Sequence, residues 1–372
     1  MLSKFYFGIE HEIPLLDLKN HFLDFTNLNI NSLTKVVEKF PIYMEDYSFL
    51  KISRLGYKTK RLYIEGLEIF DQDGYLKKYH PKGFELRMPP CNDIDFLFKN
   101  LLNDFFYVRQ ELLKFKMRPT FISFNPFRKK VNIRISMNRY EKRFREIYRD
   151  RHTHKFTLLS FGPDLNIAND GFDDLDVINI VQKLNFYTPF IVPFSYSSPF
   201  YGGKLWHGLS VRTFLRSRLR PAVVGVVVSD KIFNKFADNL IVKKLILPKQ
   251  KGLIEYKAFD VVQDIKIYKG LFALLLGIIM DTSLKGKSLW PDLKLIKLSS
   301  IYGFNDTFIY DGAFEVLVAA QKSLKSSKYK NYLKVLYNLL KERLNLAVIL
   351  RNDFLKTKSI NKTLAKFSQF IF

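Results

Sequence analysis

The chain is 372 residues long, 47% hydrophobic and 16% aromatic, a composition that builds a sizeable core and excludes a disordered chain. Sixty Lys and Arg face 36 Asp and Glu, and the formal net charge of +24 suits anionic partners such as nucleotide phosphates, acidic substrates or nucleic acid. A lone cysteine, Cys91, excludes an intrachain disulfide framework and fits a reducing compartment.

Met1-Leu2-Ser3-Lys4 runs into a strand pattern without a signal peptide, which with the reducing composition predicts a cytoplasmic protein. From Phe5 to Ile13 the pattern alternates. Phe5, Phe7, Ile9, His11 and Ile13 share one face, so His11 is expected in the core, while Glu10 and Glu12 project from the other. Leu15 to Lys39 reads as helical in parts, broken at Asn27 and Asn29. Arg61 to Ile64 and Glu68 to Phe70 lead into Asp73-Gly74, a turn pair that predicts a hairpin returning through Tyr75 to Tyr79. His80-Pro81-Lys82-Gly83 predicts a further turn, then a short strand, Phe84 to Met88, stopped by Pro89-Pro90. Asn92-Asp93 caps a helix on which Ile94, Leu97, Phe98, Leu101, Leu102, Phe105, Val108 and Leu112 keep helical spacing.

A basic segment, Arg109 to Lys155, follows, with a helix predicted over Arg139 to Arg151 and aromatic residues interleaved. Phe156 to Leu159 predicts a strand running into Phe161 to Ile167, and Asp173-Asp174 starts a helix over Leu175 to Leu184. Val223 to Val228 and Leu253 to Asp260 read as strands, and Ile265 to Met280 as a buried helix. Its apolar core, Leu271 to Met280, is too short to span a bilayer. The tail from about Asp311 to Leu350 is helical, with Tyr332, Val335, Leu336, Leu339, Leu340 and Leu344 on one face. Strands come singly or as hairpins without strand–helix alternation, which predicts an α+β fold with an antiparallel sheet, one domain over residues 1–372.

Two stretches carry chemistry. Glu10 and Glu12 sit side by side in a chain short of carboxylates, and a hard cation such as Mg²⁺ offsets that repulsion while binding substrate phosphates; a solvated strand face is the alternative. Ser195 to Gly203 and Gly208 to Arg212 combine small residues with paired glycines, which lets backbone N–H groups approach an anion. Ser210 and Arg212 share a side there, Arg grips carboxylate or phosphate bidentately, and Arg216, Arg218 and Arg220 extend the basic edge; a glycine-rich surface loop is the alternative.

Several ordered blocks over most of the chain resemble the second type of glutamate–cysteine ligase and related carboxylate–amine ligases, which have a glutamine-synthetase-like fold. Gly8-Ile9-Glu10-His11-Glu12 is similar to that family's opening G-x-E-x-E strand, and Gly83-Phe84-Glu85-Leu86 with Pro89-Pro90 to its second carboxylate strand. Ser197-Ser198-Pro199-Phe200, Gly202-Gly203 and Ser210-x-Arg212 resemble its most diagnostic segment, and Ile254 to Asp260 its late E-x-R-x-x-D strand. The resemblance implies an antiparallel sheet forming a funnel-like site with flanking helices. It also implies ATP- and Mg²⁺-dependent joining of an amino-acid carboxylate, glutamate-like, to cysteine or another amine through an acyl-phosphate. On this reading Glu10, Glu12, Glu85 and Glu255 hold metal. Arg212 binds the acceptor carboxylate or the transferred phosphoryl, and Lys257 touches phosphates. Asp164, Asn166, Ser197, Ser198 and Ser210 face substrate.

The chain departs from the family in three places. Lys257 replaces an Arg and loses its planar fork. Asp164 and Asn166 stand where relatives carry a His pair or Gln and Asn. The additional Glu expected six or seven residues before Glu85 falls at Tyr79 or Lys78 and is absent, with His80 a nearby substitute. His152 and His154 read as solvated, and Asp260 as a structural residue holding backbone or an Arg. Amino-acid substrates and ATP are the expected partners, with no membrane and no assigned oligomeric state. The other class of reading is a non-catalytic relative binding nucleic acid or another polyanion through Arg109 to Lys155.

Overall fold

The structure, a computed structural model, describes residues 4–44, 46, 51–59, 61–135, 137–147, 154–247 and 250–371. Its centre is a seven-stranded sheet, curled into a half-barrel, whose strands we number in chain order. These are β1 (Phe5–Ile13), β2 (Leu62–Phe70), β3 (Leu76–Cys91), β4 (Pro163–Asn169), β5 (Val223–Val227), β6 (Val242–Lys244) and β7 (Leu253–Tyr256). The spatial order is β6-β5-β7-β4-β1-β3-β2, so β1 lies between β3 and β4. Helices pack on the sheet, giving the expected α+β class.

The sheet is mixed where an antiparallel one was expected. β5 pairs with β6 in parallel, Gly225 opposite Val242, while the other neighbouring pairs are antiparallel. The physical reason lies in the connection: a helix, Asp230–Phe236, sits between these strands, and a crossover of that length allows parallel pairing.

β1 behaves as its alternation requires. Phe7, Ile9, His11 and Ile13 are each at most 1% exposed. Behind them lie two helices: Ile94–Lys114, capped by Asp93, and Ile265–Met280, apolar and mostly buried beyond Lys266 and Lys269 in its first turns. Phe7 meets Phe272 edge-on at 5.8 Å, and Phe98 stacks on Tyr268 at 5.8 Å. His11 is enclosed by Phe121, Tyr268 and Phe370, and neither ring nitrogen has a hydrogen-bond partner.

Burial pushes the His11 imidazole down from 6.5 to about 3. The unfolded chain therefore takes up a proton below its ordinary value that the folded chain refuses. The contribution to stability is complete above that value and is lost as pH falls toward the folded one. We expect His11→Phe to relieve the acid-side loss by roughly 1.4 kcal/mol per pH unit below the ordinary His value. Urea-unfolding free energies of both proteins at neutral and mildly acid pH check this, and identical pH slopes would contradict it.

Several expected boundaries moved. The His80-Pro81-Lys82-Gly83 turn does not form: β3 runs through it as one strand of 16 residues, with register shifts against β2 between Glu65 and Gly66 and between Ile69 and Phe70. Pro and Gly mark a bulged strand here. Gly83 has φ 154°, and a Cβ there would stand 2.3 Å from the Ile13 carbonyl oxygen. The strand expected at Phe156 to Leu159 is instead the end of a short helix, His154–Thr157, with a turn; β4 starts at Pro163. The stretch from Leu15 to Lys39 holds two short strands, Leu15–Asp17 and Phe22–Leu23, before a helix, Ile30–Lys39, capped by Asn29. The Asp173-capped helix runs on to Ile191, and β7 stops at Tyr256. The tail contains Thr307–Ser323, Leu333–Lys341, Leu346–Thr357 and Ile360–Ala365 as separate helices. The basic helix covers Arg139–Ile147; the rest of that expectation, Tyr148 to Arg151, and His152 lie outside the described residues. Among the described residues no helix is long and apolar enough to cross a membrane.

Candidate functional site

All seven strands contribute to one cavity of about 1280 Å³ on the face of the sheet that bears Glu10 and Glu12. Its lining divides by charge. Carboxylates gather over β1, β3 and β2, and basic side chains over β6, the end of β7 at Lys257 and the Val211–Arg216 helix, with Asp164 of β4 and Glu255 of β7 among them.

On the acidic side, strand pairing sets Glu12 opposite Glu85 and Glu10 opposite Arg87. Period two then places all four side chains on one face. Arg87 Nε lies 3.2 Å from Glu10 Oε2 and 3.0 Å from Glu85 Oε1, and its guanidinium covers the Tyr63 ring at 4.4 Å. Glu12 is held by both oxygens: Oε1 accepts from Lys82 Nζ at 2.5 Å and Oε2 from the Gly162 N–H at 2.7 Å. Lys82, only 2% exposed, also donates to the Ser160 carbonyl at 2.8 Å. Burial and the neighbouring carboxylates push Glu10 up to about 8 and Glu85 up to about 7, with Arg87 pulling the other way in both.

A third carboxylate joins this corner. Ligand oxygens of Glu12, Glu65 and Glu85 lie within 4.8 Å of one another, the one such cluster among the described residues. Glu65 comes from β2, so the carboxylate missing before Glu85 in sequence is matched by one on the adjacent strand. The Tyr63 hydroxyl, on the residue paired with Glu85, is buried without a partner. Hard oxygens at that spacing beside an orphaned hydroxyl fit a divalent cation such as Mg²⁺. Glu10 and Glu255 lie outside that cluster.

On the basic side Lys257 Nζ pairs with Asp164 and, at 3.2 Å, with Glu255, which also accepts from Lys243 at 2.6 Å. Burial raises both carboxyls, but Lys257 and Lys243 outweigh it and hold Asp164 and Glu255 below the ordinary carboxylate range. Lys257 is correspondingly raised, its own burial being overcome by Asp164 and Glu255. Arg216, buried and donating to the Pro221 carbonyl at 2.9 Å, is pushed down to about 9 by burial and by the like charges of Arg212 and Arg220. A cation depressed by other cations at a cavity wall favours an anion beside it.

Arg212 reaches the cavity but is largely committed. Nε donates to Ser160 Oγ at 3.0 Å, Nη1 to the Ala258 and Phe259 carbonyls at 3.2 and 2.8 Å, and Nη2 to the Lys257 carbonyl at 3.1 Å. A Cβ on Gly162 would come 2.0 Å from Nη2, so this approach requires glycine. Ser197, Ser198 and Ser210 are fully buried and do not line the cavity. They surround Asp260, whose Oδ2 accepts from the Ser197 N–H at 3.0 Å and from the Ser198 and Ser210 hydroxyls at 2.9 Å each. Asp260 also stands 3.5 Å from Arg212 Nη1. The serine-rich block and Asp260 together set Arg212 in place.

Of the remaining expected site residues, Asp164 lines the cavity. Asn166, facing Gly8 and Glu255 across its two neighbouring strands, does not line it and keeps an unpartnered buried Oδ1. His80 also stays outside the lining and cannot supply the missing ligand from there. Sequence reasoning missed Glu65, Lys82 and Arg87 as site residues. Arg87 was findable, since it lies two positions beyond Glu85 and so shares its face.

No protein-family model and no curated protein matches the sequence. Solved structures do. A bifunctional glutathione synthetase from Pasteurella multocida superposes with a TM-score of 0.63 at 11% identity, over 98% of this chain and 52% of that one. A glutamate–cysteine ligase from Francisella tularensis, in complex with AMP, gives 0.60 at 9% identity, over 98% and 88%. PafA, the ligase of the prokaryotic ubiquitin-like protein Pup, in complex with Pup, gives 0.53 at 12% identity, over 99% and 73%. This chain thus spans about half of the bifunctional enzyme. It shares the fold of these ligases, the fold that its sequence blocks resemble.

Proposed function

We propose that the protein is an ATP- and Mg²⁺-dependent carboxylate–amine ligase acting in this cavity, on a single domain whose sheet forms a funnel around the substrates. The observation that carries the reading is the pairing of opposed walls in one cavity. A carboxylate corner suited to a cation faces a basic side suited to phosphates, on a fold shared with three ligases.

A carboxylate resists attack by an amine because its charge repels the nucleophile and oxide is a poor leaving group. In the proposed reaction an oxygen of the substrate carboxylate attacks the γ-phosphorus of ATP, breaking its bond to the bridging oxygen and releasing ADP. The amine then attacks the acyl carbon of the acyl-phosphate, loses a proton, and displaces inorganic phosphate to leave an amide or γ-glutamyl bond. Bound Mg²⁺ would neutralise charge on the phosphates, with Glu12, Glu65 and Glu85 holding it. Lys257 and Arg216 face the phosphates and stabilise the moving phosphoryl group. Arg212, set by Asp260, offers its remaining Nη2 hydrogen to the substrate anion. Asp164 orients Lys257. The substrate is an amino acid of the glutamate kind with cysteine or another amine as acceptor.

Oxygen-18 in the substrate carboxylate tests the chemistry. The acyl-phosphate route carries one labelled oxygen into the released phosphate, which mass spectrometry detects. Unlabelled phosphate from a turning-over enzyme would contradict it. Lys257→Met is expected to lower turnover by on the order of 10²- to 10³-fold. A variant within twofold of wild type would remove Lys257 from the phosphate-facing role.

A further inference from the structure

The four carboxylates that the sequence resemblance assigns to metal do not stand equally ready for it. All four are ion-paired, Glu255 with Lys243 and Lys257, Glu12 with Lys82, and Glu10 with Arg87, which also reaches Glu85, but only Glu12 and Glu85 belong to the cluster with Glu65. A guanidinium between two carboxylates at 3.2 and 3.0 Å occupies the position a bridging divalent cation would take. Arg87 is fixed there by more than charge, because its planar face rests on the Tyr63 ring.

Charge at this end of the cavity is unbalanced. Glu10, Glu12, Glu65 and Glu85 meet two cations, Lys82 and Arg87, which leaves two negative charges. Glu65 has no ion pair among the described residues, and its carboxylate lies within 4.8 Å of those of Glu12 and Glu85. Like charges that close repel unless a cation stands between them. One divalent cation on Glu12, Glu65 and Glu85 completes the balance, and the same cavity is lined by Tyr63, the residue paired with Glu85, whose hydroxyl is buried without a partner. A second ion at Glu10 would have to displace Arg87.

We propose that Arg87 is a built-in substitute for a second divalent cation between Glu10 and Glu85, so that the protein itself binds one such ion, on Glu12, Glu65 and Glu85. The proposal rests on the ligase reading for the presence of a metal, and it deepens that reading by moving one ligand to β2 and withdrawing Glu10. Arg87 then holds Glu10 and Glu85 in register whether or not nucleotide is bound, so the cavity needs one ion fewer than its carboxylates suggest.

Mn²⁺ alone is the probe, titrated without nucleotide and followed by the electron paramagnetic resonance signal of the free ion. The wild-type protein is expected to bind one Mn²⁺. Glu65→Gln should weaken that site at least tenfold, whereas Glu10→Gln should change it less than threefold. Arg87→Met should bind two, and Arg87→Met combined with Glu10→Gln one again. Arg87→Lys, which keeps the charge, should bind one and serves if the methionine variant does not fold. Two equivalent ions in the wild type, no ion at all, an unaffected Glu65→Gln, or a single ion in folded Arg87→Met would each overturn the proposal. Failure here with normal ADP release would leave the ligase reading standing. One bound ion without ADP release from any substrate pair would do the reverse.

Discussion

Glu85→Gln is expected to abolish turnover and to raise the melting temperature of the ligand-free protein. Glu85 is 5% exposed, faces Glu12 across β1 and β3, contacts Glu65, and shares Arg87 with Glu10. Burial and these carboxylates push it up to about 7, so at neutral pH its charge is held at a cost that the folded protein bears for the site's sake. Gln has nearly the same shape, keeps a hydrogen bond to Arg87 through its amide oxygen, and removes the charge. Relief of the repulsion should stabilise by about 1–2 kcal/mol, a few degrees in Tm. The same change removes a central cation ligand and should lower turnover on the order of 10³-fold. Thermal melts without Mg²⁺ or nucleotide, beside ADP release with them, read both effects. A lower Tm, or turnover within tenfold of wild type, would show that Glu85 is an ordinary buried carboxylate satisfied by Arg87.

Asp260→Ala should have the largest effect on stability, about 3–5 kcal/mol. The carboxylate is fully buried and accepts from the Ser197 N–H and the Ser198 and Ser210 hydroxyls while facing Arg212. Removing it strands these donors and leaves the Arg212 charge buried among neutral acceptors, the Ser160 hydroxyl and three carbonyls. Ser198→Ala removes one hydrogen bond from a carboxylate that keeps the others, and about 1–2 kcal/mol is expected. Urea-unfolding free energies separate the two readings of this block. If the serines touched substrate, Ser198→Ala would lose activity at unchanged stability, the opposite of what the packing requires.

The strand and helix periods that read clearly in the sequence belong to elements with one strong apolar face. β1 and the Ile265–Met280 helix fall where the pattern puts them, because burial of Phe7, Ile9, Leu271 and Leu275 decides them. β3 was harder to read, since Pro81 and Gly83 are turn residues locally and a bulge only once Glu65 and Gly66 of β2 pair with them. The paired glutamates were legible from their spacing, and Glu85 and Asp164 only through the blocks that resemble the ligase family; the sheet then brings all four to one cavity. Glu65 and Lys82 were not legible, because nothing in the chain order says that β2 borders β3 at that register or that Lys82 turns back to Glu12. The serine block was legible as a unit, but its direction was not. Buried Asp260 is what draws it inward, and only packing shows that Asp260 lies behind Arg212 and not in front of it.

The most direct test of the ligase assignment is ADP release from Mg-ATP against a panel of carboxylate and amine pairs, glutamate with and without cysteine first, with wild type beside Glu85→Gln. The account predicts release that needs both members of one pair and disappears in the variant. Release without a pair, release that survives in Glu85→Gln, or none with any pair from a folded protein that binds Mg-ATP would contradict it.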